Sequence, residues 1–126
     1  MIQEREGMKV LKILNRVYLE NGSLNEAVPF YESVLGEKCH FRFNYRKLGL
    51  ELGQVGSVLL IAGSSDKLEA VKSIQMTFVV DSINDFRHAL LNLGAEIIHD
   101  MTDAFAPANL KVRHPDGAMV EYVEPG

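Results

Sequence analysis

The chain carries two near-copies of one helix start, Ser23-Leu24-Asn25-Glu26 and Ser82-Ile83-Asn84-Asp85, set 59 residues apart. In each, a serine is followed three residues later by a carboxylate. This is the capping-box pattern, in which a hydroxyl accepts from an unpaired backbone N–H and the carboxylate sits at the positive end of the helix dipole. A chain of 126 residues that repeats itself near its midpoint is confined to two half-sized modules. A module of that size has too little core to stand alone, so the halves are expected to pack together.

Both repeats continue as helices with one apolar face. Leu24, Ala27, Val28, Tyr31, Val34 and Leu35 recur with helical spacing in the first, and Ile83, Phe86, Ala89, Leu90 and Leu93 in the second. Each helix is predicted to stop at a glycine, Gly36 or Gly94, able to take the left-handed conformation. Pro29 lies inside the first helix, where it removes one backbone bond. The offset persists in Glu37 and Glu96, then in His40 and His99.

Strands flank the helices. Val10 to Glu20 precedes the first and Ile74 to Val80 the second. After the first helix, Phe41, Phe43 and Tyr45 alternate with His40, Arg42 and Asn44, which predicts a half-buried strand with the aromatics toward the core. Leu48, Leu50 and Leu52 continue the alternation, and Ser57 to Ala62 forms a short apolar strand. Glu96 to Met101, Asn109 to Arg113 and Ala118 to Val123 are the corresponding strands of the second half, with Pro115-Asp116-Gly117 as a turn. Each half thus reads as β-α-β-β-β. The organisation expected is an N-terminal extension (1–9), a first module (10–63), a linker (64–72) with a helical turn at Lys67 to Val71, and a second module (73–126). The alternation points to antiparallel sheet with one covered face, hence α+β.

Composition excludes several partners. A net charge of −4 gives no basic footprint for nucleic acid. No run of residues is apolar enough to span a bilayer, and Met1 to Gly7 lacks the apolar stretch of a signal peptide, so a soluble protein is expected. The single cysteine, Cys39, cannot form an internal disulfide, which fits a cytoplasmic location and reads as a small core residue.

Phe30-Tyr31-Glu32-Ser33-Val34-Leu35-Gly36, Val79-Val80-Asp81, Leu93-Gly94-Ala95 and the closing His114-Pro115-Asp116-Gly117-Ala118-Met119-Val120-Glu121 stand in the order seen in one group of proteins. The chain resembles, from about Val10 to Glu124, the glyoxalase / bleomycin-resistance / extradiol dioxygenase superfamily, the vicinal oxygen chelate fold. The resemblance implies two βαβββ modules forming curved mixed or antiparallel sheets around a cup-shaped cavity. It also implies a homodimer, which open sheet edges make physically reasonable. Metal-dependent members place four ligands in the cup, two per module, generally His, Glu or Gln.

Matched residue by residue, those positions fall on Arg16, Leu60, Gln75 and Glu121. Arginine has no lone pair to offer and leucine no donor atom. A one-residue slip substitutes Asn15 for Arg16 and still leaves Leu60. Gln75 and Glu121 alone are too few for a firm site, so no metal is expected; if one is present, they are its ligands. Arg16 instead supplies a positive charge able to bind a carboxylate or phosphate bidentately, with Glu121 orienting it or acting as a general base. Gln75 contacts the ligand or bonds a strand edge. His40, His88 and His99 are expected on the surface, and His114, in a turn, is expected to have no chemical role. Phe41, Phe43 and Tyr45, like Met76, Met101 and Met119, are expected to fill core.

Three functions stay open. The first is a protein that binds a small organic, possibly anionic, ligand in the cup without a catalytic metal, as the bleomycin-resistance branch does. The second is a lyase, isomerase or dioxygenase using Ni, Zn, Mn or Fe. The third is a metal-free enzyme built on Arg16 and Glu121. The sequence contains no Gly-rich phosphate loop, Cys-x-x-Cys pair or nucleophile elbow.

Overall fold

The computed structural model describes residues 8–100 and 108–125. The elements run β1 (Val10–Glu20), α1 (Leu24–Leu35), β2 (Cys39–Tyr45), a 3-10 turn (Arg46–Leu48), β3 (Leu50–Val55), β4 (Val58–Gly63) and α2 (Ser65–Glu69). They continue as β5 (Met76–Val80), α3 (Ile83–Asn92), β6 (Glu96–His99), β7 (Ala108–Arg113) and β8 (Met119–Glu124). The α+β class and the β-α-β-β-β order of each half are those the pattern implies. Two compact units result: Leu14–Ser73, and the chain up to Ile13 taken with the chain from Ile74. The last residue of the predicted Glu96 to Met101 strand lies outside the described residues.

In the first unit the strand order is β2-β3-β4-β1. β2-β3 and β3-β4 are antiparallel, whereas β1 and β4 run parallel. The sheet is therefore mixed: α1, β2 and β3 intervene between β1 and β4 and supply the crossover that a parallel pair needs. Leu24 and Val28 of α1 are buried against Val55, Leu60 and Ala62, with Val17, Leu19, Tyr31 and Cys39 packed around them. Burying each such aliphatic side chain stabilises the fold by about 1.5–3 kcal/mol. Gly53 lies under α1; a Cβ there would meet Val28 Cγ2 at 3.4 Å, so the bare backbone lets the helix lie close.

The first helix departs from its pattern at both ends. Ser23 has helical dihedrals (φ −81°, ψ −8°) and its side chain makes no cap. An N-cap normally needs extended backbone to aim its hydroxyl at the following N–H groups, and Ser23 offers only its carbonyl, to Glu26 and Ala27. The buried stripe also ends early: Val34 is 62% exposed and Leu35 38%. Pro29 sits within an uninterrupted α1, and Gly36 ends it in the left-handed region (φ 67°), its N–H bonded to Glu32 O.

Phe41 and Phe43 correct the expectation most plainly. They are exposed, at 39% and 54%. β2 closes one end of the strand order, and register pairs Phe41 with Gln54 and Phe43 with Leu52, on the face opposite α1. The aromatics alternate as predicted, but on the face away from α1, at the end of the strand order.

The second unit has the order β5-β8-β7-β6, with β5-β8 parallel and the other pairs antiparallel. Ile83, Phe86 and Leu90 of α3 pack on Val80, Leu110, Val112, Val120 and Tyr122. Here the cap forms: Ser82 is extended and its Oγ accepts from Asp85 N at 3.4 Å, while Glu124 takes the Ile83 N–H at 2.8 Å. Pro115-Asp116-Gly117 makes the predicted turn, closed by Gly117 N to His114 O.

Candidate functional site

The first unit presents a sheet face away from α1. Along β1, Val17 and Leu19 enter the core under α1, so Arg16 and Tyr18 point the other way. Register carries that face across the sheet. Arg16 stands opposite Leu59, followed by Gln54 and Phe41; the next row is Tyr18, Ile61, Leu52 and Phe43. Arg16 is half-buried, and its Nη1 donates to Tyr18 Oη at 3.0 Å. The Tyr18 hydroxyl in turn donates to the Val71 carbonyl at 2.7 Å. A guanidinium amid leucine and isoleucine is thus held by an oriented hydroxyl.

Leu60 does not share this face. It is fully buried, stands opposite Val17, and belongs to the core under α1. The residues of β4 beside Arg16 and Tyr18 are Leu59 and Ile61. Side chains alternate through a sheet, so matching a strand one residue out moves a side chain to the opposite face. Leu60 is therefore removed as a ligand contact on Arg16's face. Asn15 is also on the α1 side by parity, and its Nδ2 reaches Ser57 O at 3.4 Å.

In the second unit, Glu121 lies between the core residues Val120 and Tyr122 and so faces away from α3. It is in register with Thr77 and Lys111, and the buried Thr77 hydroxyl donates to Glu121 Oε1 at 3.3 Å. Gln75 is exposed and clasps β8: its N–H donates to Met119 O at 2.9 Å, and its Oε1 accepts from Met119 N at 3.1 Å. Of its two expected roles, strand-edge bonding is the one its amide performs. Arg16 and Leu60 belong to the first unit, Gln75 and Glu121 to the second.

Three residues escaped sequence reasoning. Tyr18 shares Arg16's strand parity, a signal available from spacing alone. Gln54, only 6% exposed, is a polar residue inside an apolar hairpin; its Nε2 donates to Gly56 O at 3.2 Å, which directs its carbonyl oxygen elsewhere. His114 is more than a turn residue: its Nε2 lies 2.8 Å from Tyr122 Oη, beside Phe78. Burial pushes the Tyr122 hydroxyl up to about 12. His40, His88 and His99 are exposed, as expected.

Two hollows lie elsewhere. One of about 310 Å³ is at the C-terminal end of α1, around Glu32, Ser33 and Glu37. The other, about 210 Å³, is apolar and lies beneath α3 around Phe78, Phe86 and Tyr122. Neither is lined by Arg16, Leu60, Gln75 or Glu121.

Searches of known proteins return no matching family model and no matching curated protein. Solved structures do match. An uncharacterised protein from Methanosarcina mazei is 42% identical, with a TM-score of 0.84 and 94% of each chain covered. Methylmalonyl-CoA epimerase from Mycobacterium tuberculosis aligns with a TM-score of 0.64 at 17% identity, over 90% of this chain and 87% of that one. The Streptomyces coelicolor epimerase, solved with 2-nitronate-propionyl-CoA, gives 0.59 at 13% identity, over 92% and 99%. The chain shares the fold of these methylmalonyl-CoA epimerases, the vicinal oxygen chelate fold of the glyoxalase superfamily.

The superfamily's metal chemistry can be tested against the residues present. Of the four positions matched from the sequence, Arg16 is a permanent cation, Leu60 is a core side chain, and Gln75 spends its carbonyl oxygen on Met119. Glu121 is the one remaining donor. Among the described residues no group of three or more His, Cys, Asp or Glu side chains could hold an ion. These four side chains supply fewer donors than the three protein ligands a divalent metal ordinarily takes. Among the described residues, too, no helix is long and apolar enough to cross a membrane.

Proposed function

We propose that this protein binds a small organic anion, a carboxylate on an apolar body, without a catalytic metal. Arg16 carries the reading. A guanidinium that is half-buried on an apolar sheet face and oriented by Tyr18 offers planar, charge-assisted donors where metal-dependent relatives place a ligand. Leu52, in the neighbouring row, provides an apolar surface for the ligand's body. The fold accommodates such chemistry elsewhere, since the Streptomyces coelicolor neighbour was solved with a nitronate, a planar anion.

The test is titration with matched carboxylates and their neutral amides, followed by nuclear magnetic resonance. Arg16→Leu is expected to weaken carboxylate binding by about 100-fold, near 2.7 kcal/mol, and to leave amide binding unchanged. Equal carboxylate affinity in that variant sinks the proposal. Metal content after dialysis against Ni²⁺, Zn²⁺, Mn²⁺ and Fe²⁺ is expected to stay far below one ion per chain. Stoichiometric metal surviving desalting would overturn the metal-free part.

A second reading, an isomerase, has one observation in its favour: the epimerases among the structural neighbours. Glu121, held by Thr77, would be its base. Deuterium exchange from solvent into methylmalonyl-CoA, abolished by Glu121→Gln, would establish it; no exchange leaves the binder. We also place a homodimer here, with the exposed Phe41 and Phe43 of terminal β2 as the surface a second copy covers. Light scattering is expected to show a dimer that Phe43→Glu dissociates, and a monomeric wild type would exclude it.

A further inference from the structure

We infer that Tyr18 is a positioning residue for Arg16, tying the anion site to the connector that follows α2. The inference deepens the binding role proposed for Arg16 and rests on it. Tyr18 and Arg16 are two residues apart on β1, so both project from the same face. Their bond has a fixed direction. A guanidinium only donates, so Tyr18 Oη accepts from Arg16 Nη1 at 3.0 Å and must spend its own proton elsewhere. It spends it on the Val71 carbonyl, 2.7 Å away. A carbonyl only accepts, which fixes the hydroxyl rotor and turns a lone pair toward Arg16.

The far end of this relay is anchored. Val71 N and Lys72 N both donate to Leu68 O, at 3.0 and 2.8 Å, so the turn bearing the Val71 carbonyl is closed on the end of α2. The chain of bonds runs from α2 through Val71 and Tyr18 to Arg16, and every link lies within Leu14–Ser73. An arginine side chain loses rotamer freedom when it is fixed. Tyr18 meets part of that cost before any ligand arrives. Preorganisation of this kind raises affinity without adding a ligand contact. Phenylalanine at position 18 keeps the ring and its packing but removes both bonds, which makes Tyr18→Phe the informative variant.

The experiment has two readouts on wild type, Tyr18→Phe and Arg16→Leu. The first is ¹⁵N relaxation of the Arg16 Nε–H signal, assigned by its loss in Arg16→Leu, with no ligand added. The second is the affinity for benzoate against benzamide. In Tyr18→Phe the Arg16 signal is expected to become mobile, and benzoate to bind on the order of tenfold more weakly. Benzamide affinity is expected to stay within error, which a merely structural role for Tyr18 would not produce. Wild-type order at Arg16 in Tyr18→Phe would overturn the positioning role, whatever the binding data show. An unchanged benzoate-to-benzamide ratio in Tyr18→Phe, with that ratio collapsed in Arg16→Leu, would overturn it as well. If Arg16→Leu binds benzoate as wild type does, the binding role of Arg16 falls, and the relaxation data alone decide Tyr18.

Discussion

The two modules share a topology and differ in nearly everything laid upon it. Both run β-α-β-β-β with one parallel and two antiparallel pairings. The second caps its helix with Ser82, packs Phe78 and Phe86 against Tyr122 with ring centroids 5.2 and 5.9 Å apart, and keeps a carboxylate on the face away from α3. The first leaves Ser23 uncapping, exposes Phe41 and Phe43, and carries a cation on its first strand, whereas the carboxylate of the second is on its last. Strand order and helix stops tolerate this divergence because they depend on period, turns and glycine. Site chemistry depends on single side chains on the face away from the helices, which period and turns do not specify.

Substitution can break that contrast. The largest effect is expected from Phe86→Ala, which empties the second core and should destabilise by about 3–5 kcal/mol in chemical denaturation. The matching aromatic loss in the first module, Phe43→Ala, should cost under about 0.5 kcal/mol in the monomer, since an exposed ring leaves no cavity. Equal losses would show that β2 is covered in solution.

An alkaline titration sharpens the same difference. Tyr122 is held neutral to about 12 in the folded state, against 10.0 for an ordinary tyrosine. Its contribution is therefore complete below pH 10 and is lost as the pH rises toward 12, because the unfolded chain ionises first. Unfolding midpoints measured from pH 9 to 12 should fall more steeply in wild type than in Tyr122→Phe. Parallel curves would place Tyr122 in contact with water. The smallest effect separates the two serines: Ser82→Ala should cost about 1 kcal/mol and Ser23→Ala only a few tenths, by thermal denaturation. A similar cost at both would mean that Ser23 caps in solution.

Much of the fold was legible because its signals are local. The repeated helix starts, Gly36, Gly94 and the Pro115-Asp116-Gly117 turn each act through neighbouring residues. What escaped depended on which side of a sheet is covered. The alternation of Phe41, Phe43 and Tyr45 was read correctly and assigned to the wrong face, since alternation does not say where the helix lies. Leu60 failed by one residue of register for the same reason. His114 and Tyr122 meet only because the hairpin folds back on itself, and no spacing rule announces that pair. At the candidate site, Arg16 and Glu121 were singled out by motif matching; Tyr18 shares Arg16's parity, but its tie to the Val71 carbonyl depends on the fold.

The His114–Tyr122 bond has an optical consequence. The chain contains no tryptophan, so its near-ultraviolet emission comes from four tyrosines, of which Tyr122 alone belongs to the second module. With His114 Nε2 as the acceptor, the imidazole can take the phenolic proton in the excited state, which would dim that one emitter in the native fold. Unfolding of the second module should therefore appear as a brightening, against a signal from Tyr18, Tyr31 and Tyr45 that follows the first. The protein carries its own label for telling its two halves apart.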